Sequence, residues 1–191
     1  MPDRARILID LTNKGIEGEL QVLATANTLL SADVQYLDAK FKSYVYQVPA
    51  LAGLPYNGCS SALNPANPMQ YNVDCSGKPG YNSPKWTMNL AAQQTIPFGD
   101  YKVVVLADTQ YKTARWVGSG YWDFSFVDPN WRTNASVTLA QSDDRWSLAA
   151  FVDNIENDRI VTTANIDEAV NAGYVITTPP RTYGLRGAVR F

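Results

Sequence analysis

The chain has 191 residues and a formal net charge of -2, so it offers no basic stripe of the kind nucleic acid requires. Histidine is absent, which removes histidine general acid–base chemistry, Ser-His and Cys-His nucleophile pairs, and histidine metal sites. Aromatics reach 12%, with eleven tyrosines and five tryptophans, a content suited to a water–lipid boundary and equally to a carbohydrate-binding β-sandwich.

From the first residue onward, no stretch approaches the ~18 apolar residues that a membrane helix needs. No signal peptide stands at Met1-Pro2-Asp3-Arg4, because the apolar run Ile7-Leu8-Ile9 ends at Asp10. Strand-like alternation then recurs along the whole chain, while the best helical stretch, Ile166 to Ala172, is short and interrupted. Seven strands are predicted. The first covers about Lys14 to Thr25, with Ile16, Gly18, Leu20, Val22 and Ala24 on one face and Glu17, Glu19 and Gln21 on the other. Ala26-Asn27-Thr28 connects it to the second, about Ala32 to Tyr46.

A long Pro/Gly-rich link, about 47 to 84, follows and holds both cysteines, Cys59 and Cys75. A disulfide is expected between them, closing a loop worth roughly 3 kcal/mol in the chain-entropy model and placing the segment in an oxidising compartment. Two free thiols in a loop are the alternative.

The third strand runs from Lys85 to Thr95, with Trp86, Met88, Leu90 and Ala92 on one face, and Pro97-Phe98-Gly99-Asp100 turns the chain. The fourth, Tyr101 to Lys112, sets Tyr101, Val103, Val105, Ala107, Thr109 and Tyr111 against Lys102, Val104, Leu106, Asp108, Gln110 and Lys112. A long link, about 113 to 130, leads to the fifth, Trp131 to Gln141, and Ser142-Asp143-Asp144 turns into the sixth, Arg145 to Asn154. After another long link, about 155 to 180, the last strand runs from Arg181 or Thr182 to Phe191.

Connections thus alternate strictly between short and long, and strands of about ten residues with one apolar face match a bilayer-spanning β-barrel. Tyr101, Tyr111, Trp86, Trp131 and Trp146 lie near strand ends, as in aromatic girdles. The predicted fold is all-β: an antiparallel transmembrane β-barrel segment of about seven strands, with short periplasmic turns and long extracellular loops, occupying residues 1–191 as one unit. A soluble β-sandwich or lipocalin-like barrel is the alternative, because alternation does not say which face is wet.

In the last strand, Tyr183, Leu185, Gly187, Val189 and Phe191 share one face, and Gly184, Arg186, Ala188 and Arg190 the other. Two arginines facing lipid at mid-depth would each cost about 2–4 kcal/mol, so they are assigned to a wet lumen together with Glu17, Glu19, Lys102, Asp108 and Lys112. An alternating last strand ending on Phe resembles the assembly signal of outer-membrane barrels, which the barrel assembly machinery reads.

Several pieces in order resemble the C-terminal β-barrel region of TonB-dependent outer-membrane receptors. These are Thr12-Asn13-Lys14-Gly15-Ile16-Glu17-Gly18-Glu19-Leu20, Ala32-Asp33-Val34-Gln35-Tyr36-Leu37-Asp38-Ala39-Lys40-Phe41 and Ser83-Pro84-Lys85-Trp86. Phe151-Val152-Asp153-Asn154-Ile155 and Pro179-Pro180-Arg181-Thr182-Tyr183-Gly184-Leu185 complete the series. The resemblance covers about residues 12 to 191. It departs from the family in lacking the plug domain, the TonB box and most of the roughly 22 strands of such barrels, so the chain is expected to be a piece of a longer receptor, with Met1 an internal start or a cut end.

The resemblance implies active uptake of a scarce ligand, a ferric siderophore or similar, across the outer membrane of a Gram-negative bacterium, with energy from TonB. Implied partners are outer-membrane lipid, the barrel assembly machinery, TonB through the missing part, and a small-molecule ligand. Tyr71, Tyr81, Trp116, Tyr121 and Trp122 are the candidate ligand contacts in the loops, since aromatic rings stack on sugars or catechols; girdle or loop packing is their structural alternative. A passive porin and a soluble secreted carbohydrate-binding β-sandwich remain alternatives.

No enzyme is expected. Asp143-Asp144 reads as a turn, because neighbours on a strand point to opposite faces. Asp123 and Asp128 read as loop caps rather than metal ligands, and Gly118-x-Gly120 lacks the strand–helix context of a phosphate loop. No cofactor is implied.

Overall fold

A computed structural model describes residues 8–50, 54–167 and 172–190. In chain order the strands are β1 (Leu8–Thr25), β2 (Thr28–Pro49), β3 (Ser60–Asn64), β4 (Asn67–Asp74), β5 (Trp86–Phe98), β6 (Tyr101–Lys112) and β7 (Arg115–Trp116). They continue with β8 (Phe126–Val127), β9 (Asn130–Gln141), β10 (Trp146–Asp153), β11 (Val161–Asp167), β12 (Ala172–Thr177) and β13 (Thr182–Val189). One turn of 3-10 helix, Asp123–Ser125, precedes β8.

Seven of these strands form a curled antiparallel sheet in the order β1-β2-β5-β6-β9-β10-β13, each hydrogen-bonded to the next along the chain. They are the seven read from alternation, and β6 has the predicted bounds. β1 and β2 are longer than predicted, starting at Leu8 and ending at Pro49, because the β1–β2 pairing continues beyond the rest of the sheet. Short turns at Ala26-Asn27, at Gly99-Asp100 and around Ser142-Asp143 lie at one end. Gly99 takes φ +57, which the two-residue hairpin turn requires and glycine adopts freely.

The long connections gather at the other end, and each contains structure of its own. The link 50–85 holds the β3–β4 hairpin, which pairs with the upper part of β2, Val45 to Pro49. Its return leg runs back along β2, with Cys75 donating to Tyr44 O, Phe41 to Lys78 O, Gly80 to Ala39 O and Leu37 to Lys85 O. The link between β6 and β9 holds β7, the 3-10 turn and β8; that between β10 and β13 holds the β11–β12 hairpin. Ile166 to Ala172, the best but interrupted helical stretch of the sequence, is extended where it is described. Ile166 and Asp167 end β11 and Ala172 opens β12, because flanking runs such as Val161-Thr162-Thr163 and Val175-Ile176-Thr177 favour extended backbone.

The buried apolar side chains lie almost wholly among the loops. Phe41, Tyr44, Val73, Cys75 and Tyr121 make one cluster, and Val117, Val127 and Ala164 another. The first depends on a bulge in β2. Leu11 pairs with Phe41 but Asp10 with Ser43, leaving Lys42 as an extra residue. That one-residue shift brings Phe41, Tyr44, Tyr46 and Val48 to the same side despite the change of parity.

Candidate functional site

Two features stand out: an uncovered apolar sheet face, and a packed cap of loops at one end. On the outer face, register lines up Val22, Leu30, Ala92, Ala107, Ala135, Val152 and Tyr183 across all seven strands. Within the sheet interior, Leu90, Val105, Val137 and Leu148 remain between 38% and 49% exposed. No second layer covers them among the described residues. A water-soluble sheet buries such a face. Two polar pairs lie on this face: the hydroxyls of Thr109 and Thr133 are 2.8 Å apart, and Thr28 donates to Gln94 Oε1 at 2.6 Å.

Aromatic rings bound this face at both ends. Towards the turns, Phe98 and Tyr101 have ring centroids 5.9 Å apart, and Tyr101 and Trp146 6.0 Å. Towards the loops, Tyr36 and Trp86 lie 4.9 Å apart, and Tyr111 and Trp131 4.8 Å. Tyr101 and Tyr111 mark both levels on β6, ten residues apart, which is about 34 Å along a strand and would be about 26 Å along the axis of a barrel whose strands tilt by about 40°.

The inner face is polar. Asn134 donates to Asp108 Oδ2 at 2.8 Å and Gln110 to Asn89 Oδ1 at 2.7 Å, and with Asp33 and Arg132 they line a depression of about 250 Å³. Strand parity puts Glu17, Glu19, Lys102, Asp108, Lys112 and Arg186 on this face; Lys102 pairs with Asp144 across the turn at 2.9 Å. Arg190, beyond the end of β13, continues the parity of Arg186, and its amide donates to Arg145 O. Arg186 lies over the ring of Phe151 at 5.4 Å. Gly184 leaves room for that ring, since a Cβ there would stand 3.0 Å from it.

The loop cap joins all three long connections. Tyr121, 1% exposed, reaches from the β6–β9 connection into the β2–β5 connection, where its hydroxyl donates to Pro79 O and Gly58 N donates to Gly120 O at 2.8 Å. Burial pushes the Tyr121 hydroxyl well above the usual tyrosine range, and Tyr44 is raised by burial as well. Both rings therefore stay neutral at physiological pH. Trp122 Nε1 donates to Tyr56 O at 2.8 Å. Val117 and Val127 pack on Ala164 of β11, tying in the third connection. Cys59, just before β3, and Cys75, just after β4, are joined by a disulfide, Cα–Cα 4.9 Å, that closes the base of the β3–β4 hairpin. Arg115 is buried at 8% exposure, and its Nη1 has no hydrogen-bond partner among the described residues.

The five aromatic candidates for ligand contact therefore fall in different places. Tyr121 and Trp122 are buried in loop packing, and Trp116 sits half-buried in β7 against Tyr121 and Phe126. Tyr71 is half-buried in β4 opposite Val48. Tyr81 alone is exposed, stacked beside Phe41 with centroids 6.2 Å apart. Gly118 and Gly120 mark the close packing around Trp122 in the sequence: a Cβ on Gly120 would run into the Trp122 ring, and one on Gly118 would crowd Ala164 O, Ser125 and Trp122. Of the C-terminal signal residues, Tyr183, Leu185 and Val189 project from β13 at 64% exposure or more, Gly187 pairs with Leu148, and Phe191 lies outside the described residues. Compared with known families, with characterised proteins and with solved structures, the chain matches none.

Proposed function

We propose that the chain is part of the wall of an outer-membrane β-barrel receptor that takes up a scarce ligand, a ferric siderophore or similar, with TonB-derived energy. The observation that carries the membrane placement is the bare apolar face between two aromatic levels, whose spacing fits the roughly 25 Å apolar band of such barrels. The polar inner face and the gathering of long loops at one end agree with it. The disulfide suits an oxidising compartment such as the periplasm or the cell surface.

Topology supports a composite barrel. With seven alternating strands, β1 and β13 run in the same direction, so they cannot close on each other antiparallel, and copies inserted the same way round cannot join edge to edge antiparallel. The ring is completed by an odd number of further strands, which also covers the two open edges. The receptor identity rests on the ordered motifs from Thr12 to Leu185; the loop cap, which folds over one end of the sheet, suits a gated receptor.

The test is accumulation of radioactive iron by cells given a ferric siderophore. Cells carrying the full gene should accumulate it, and deletion of the segment encoding this chain, or loss of TonB, should abolish it. Accumulation that persists without TonB contradicts the receptor reading.

A further inference from the structure

One surface is absorbed neither by the apolar band nor by the loop cap. It lies on the outer face of β1 and β2, immediately on the loop side of the aromatic level at Tyr36. Ile16 pairs with Tyr36; the next rung on the same face is Lys14 opposite Asp38, and the next Thr12 opposite Lys40. Just beyond, the β2 bulge leaves Lys42 unpaired, and a bulge re-aims its extra side chain. Lys14, Thr12, Asp38, Lys40 and Lys42 together line a depression of about 470 Å³.

Three observations favour an anion of stated source. First, three lysines and one carboxylate line the depression, Asp10 stands on the next rung of the same face opposite Ser43, and none of the three lysines forms an ion pair among the described residues. Second, Lys14 and Lys40 are diagonal neighbours, about 7–8 Å apart at the backbone, within the span over which long side chains converge. Third, the depression lies one rung beyond Ile16 and Tyr36 on the same face, so a ligand held there has the apolar Ile16–Tyr36–Trp86 rung beside it. A cationic pocket at the rim of an apolar band fits an anionic lipid headgroup.

We propose that the Thr12–Lys14–Lys40–Lys42 depression binds the phosphate of a phosphorylated lipid in the leaflet on the loop side. The proposal rests on the membrane reading above. Lys14, Lys40 and Lys42 neutralise the phosphate, and the Thr12 hydroxyl offers a hydrogen bond. The acyl chains lie along the Ile16–Tyr36 rung, and Asp38 weakens the site by repulsion.

The experiment uses the complete barrel that contains this chain, in detergent and in vesicles. Native mass spectrometry reads retention of phosphatidic acid against phosphatidylcholine at equal concentration, and quenching of tryptophan by brominated phosphatidylcholine in vesicles reads membrane contact. Phosphatidic acid should be retained in roughly tenfold preference, given the attraction each basic residue exerts near a charged surface. The triple variant K14Q/K40Q/K42Q should fall to parity with quenching unchanged, Asp38→Asn should raise the preference, and inorganic phosphate at matching concentration should displace nothing. Parity in the unmodified chain, or a preference that survives the triple variant, overturns the lipid site while leaving the membrane reading intact. Displacement by inorganic phosphate makes it a site for a soluble anion and overturns the lipid assignment. Absence of quenching removes the membrane reading and the site with it.

Discussion

Gly58 and Tyr121 approach so closely that a Cβ on Gly58 would collide with the Tyr121 carbonyl oxygen, and the contact is backbone against backbone, with no flexible side chain to yield. Tyr121 itself takes φ +53, an uncommon value for a bulky residue. Gly58→Ala should therefore unseat the β6–β9 connection from the cap, at about 1–3 kcal/mol, the usual penalty for overpacking. Limited proteolysis should show faster cutting within 113–129. Gly18→Ala, where nothing lies within 4 Å of the added Cβ, is the matched control and should leave the digestion pattern unchanged.

Alkaline titration probes the same packing. Burial raises both Tyr121 and Tyr44, so the folded cap holds protons that the unfolded chain releases near the ordinary tyrosine value of about 10. Their contribution to stability is complete below that pH and is lost as the pH rises from there towards the folded values. Absorbance near the phenolate band should show Tyr121 and Tyr44 ionising only above the ordinary tyrosine value, together with loosening of the cap. A cap that stays protected near pH ~10, with an absorbance change there that is lost on replacing Tyr121 and Tyr44 by Phe, would contradict the burial.

Arg115 points to a gain. Its guanidinium is buried, with Nη1 unpartnered among the described residues, and burial lowers its pKa. A buried charge without a full set of partners is costly, and apolar replacements of similar volume are often neutral or stabilising. Arg115→Met should stabilise the cap by about 1–3 kcal/mol, read as a higher denaturant midpoint for exposure of 113–129. A lower midpoint would mean that the guanidinium is satisfied.

The two faces of β9 should respond oppositely to the same change. Val137 lies on the outer face opposite Val105 and Ala150; Ser136 lies on the inner face opposite Leu106 and Phe151. In lipid, Val137→Lys should cost about 2–4 kcal/mol at mid-depth, while Ser136→Lys, facing water, should be tolerated. Urea titration of the complete barrel folded into vesicles reads the difference. A soluble sheet would show the reverse order.

The seven main strands were legible because a period of two survives wherever one face is apolar and the other wet, as in Trp86–Thr95 and Tyr101–Lys112. The aromatic levels were legible as strand-end rings. What lay outside reach was long-range: the β2 bulge flips parity at Lys42 without any local marker. The β3–β4 and β11–β12 hairpins are short and lie inside links that composition marks only as loops. Tyr121 and Trp122 looked like ligand-stacking rings because exposure depends on a partner loop, the stretch around Tyr56 and Gly58, more than 60 residues away. Lys14, Lys40 and Lys42 gather only once β1 and β2 are in register.

The central claim, that the outer face of the sheet meets lipid, is tested most directly by spin labels placed singly from Tyr101 to Lys112 in the complete barrel folded into vesicles. Collision with oxygen, which concentrates in lipid, should peak at residues 103, 105 and 107 and fall at 104, 106 and 108, with a water-soluble nickel complex showing the inverse pattern. Equal access of the nickel complex to 105 and 106 would mean that the apolar face is not in a membrane.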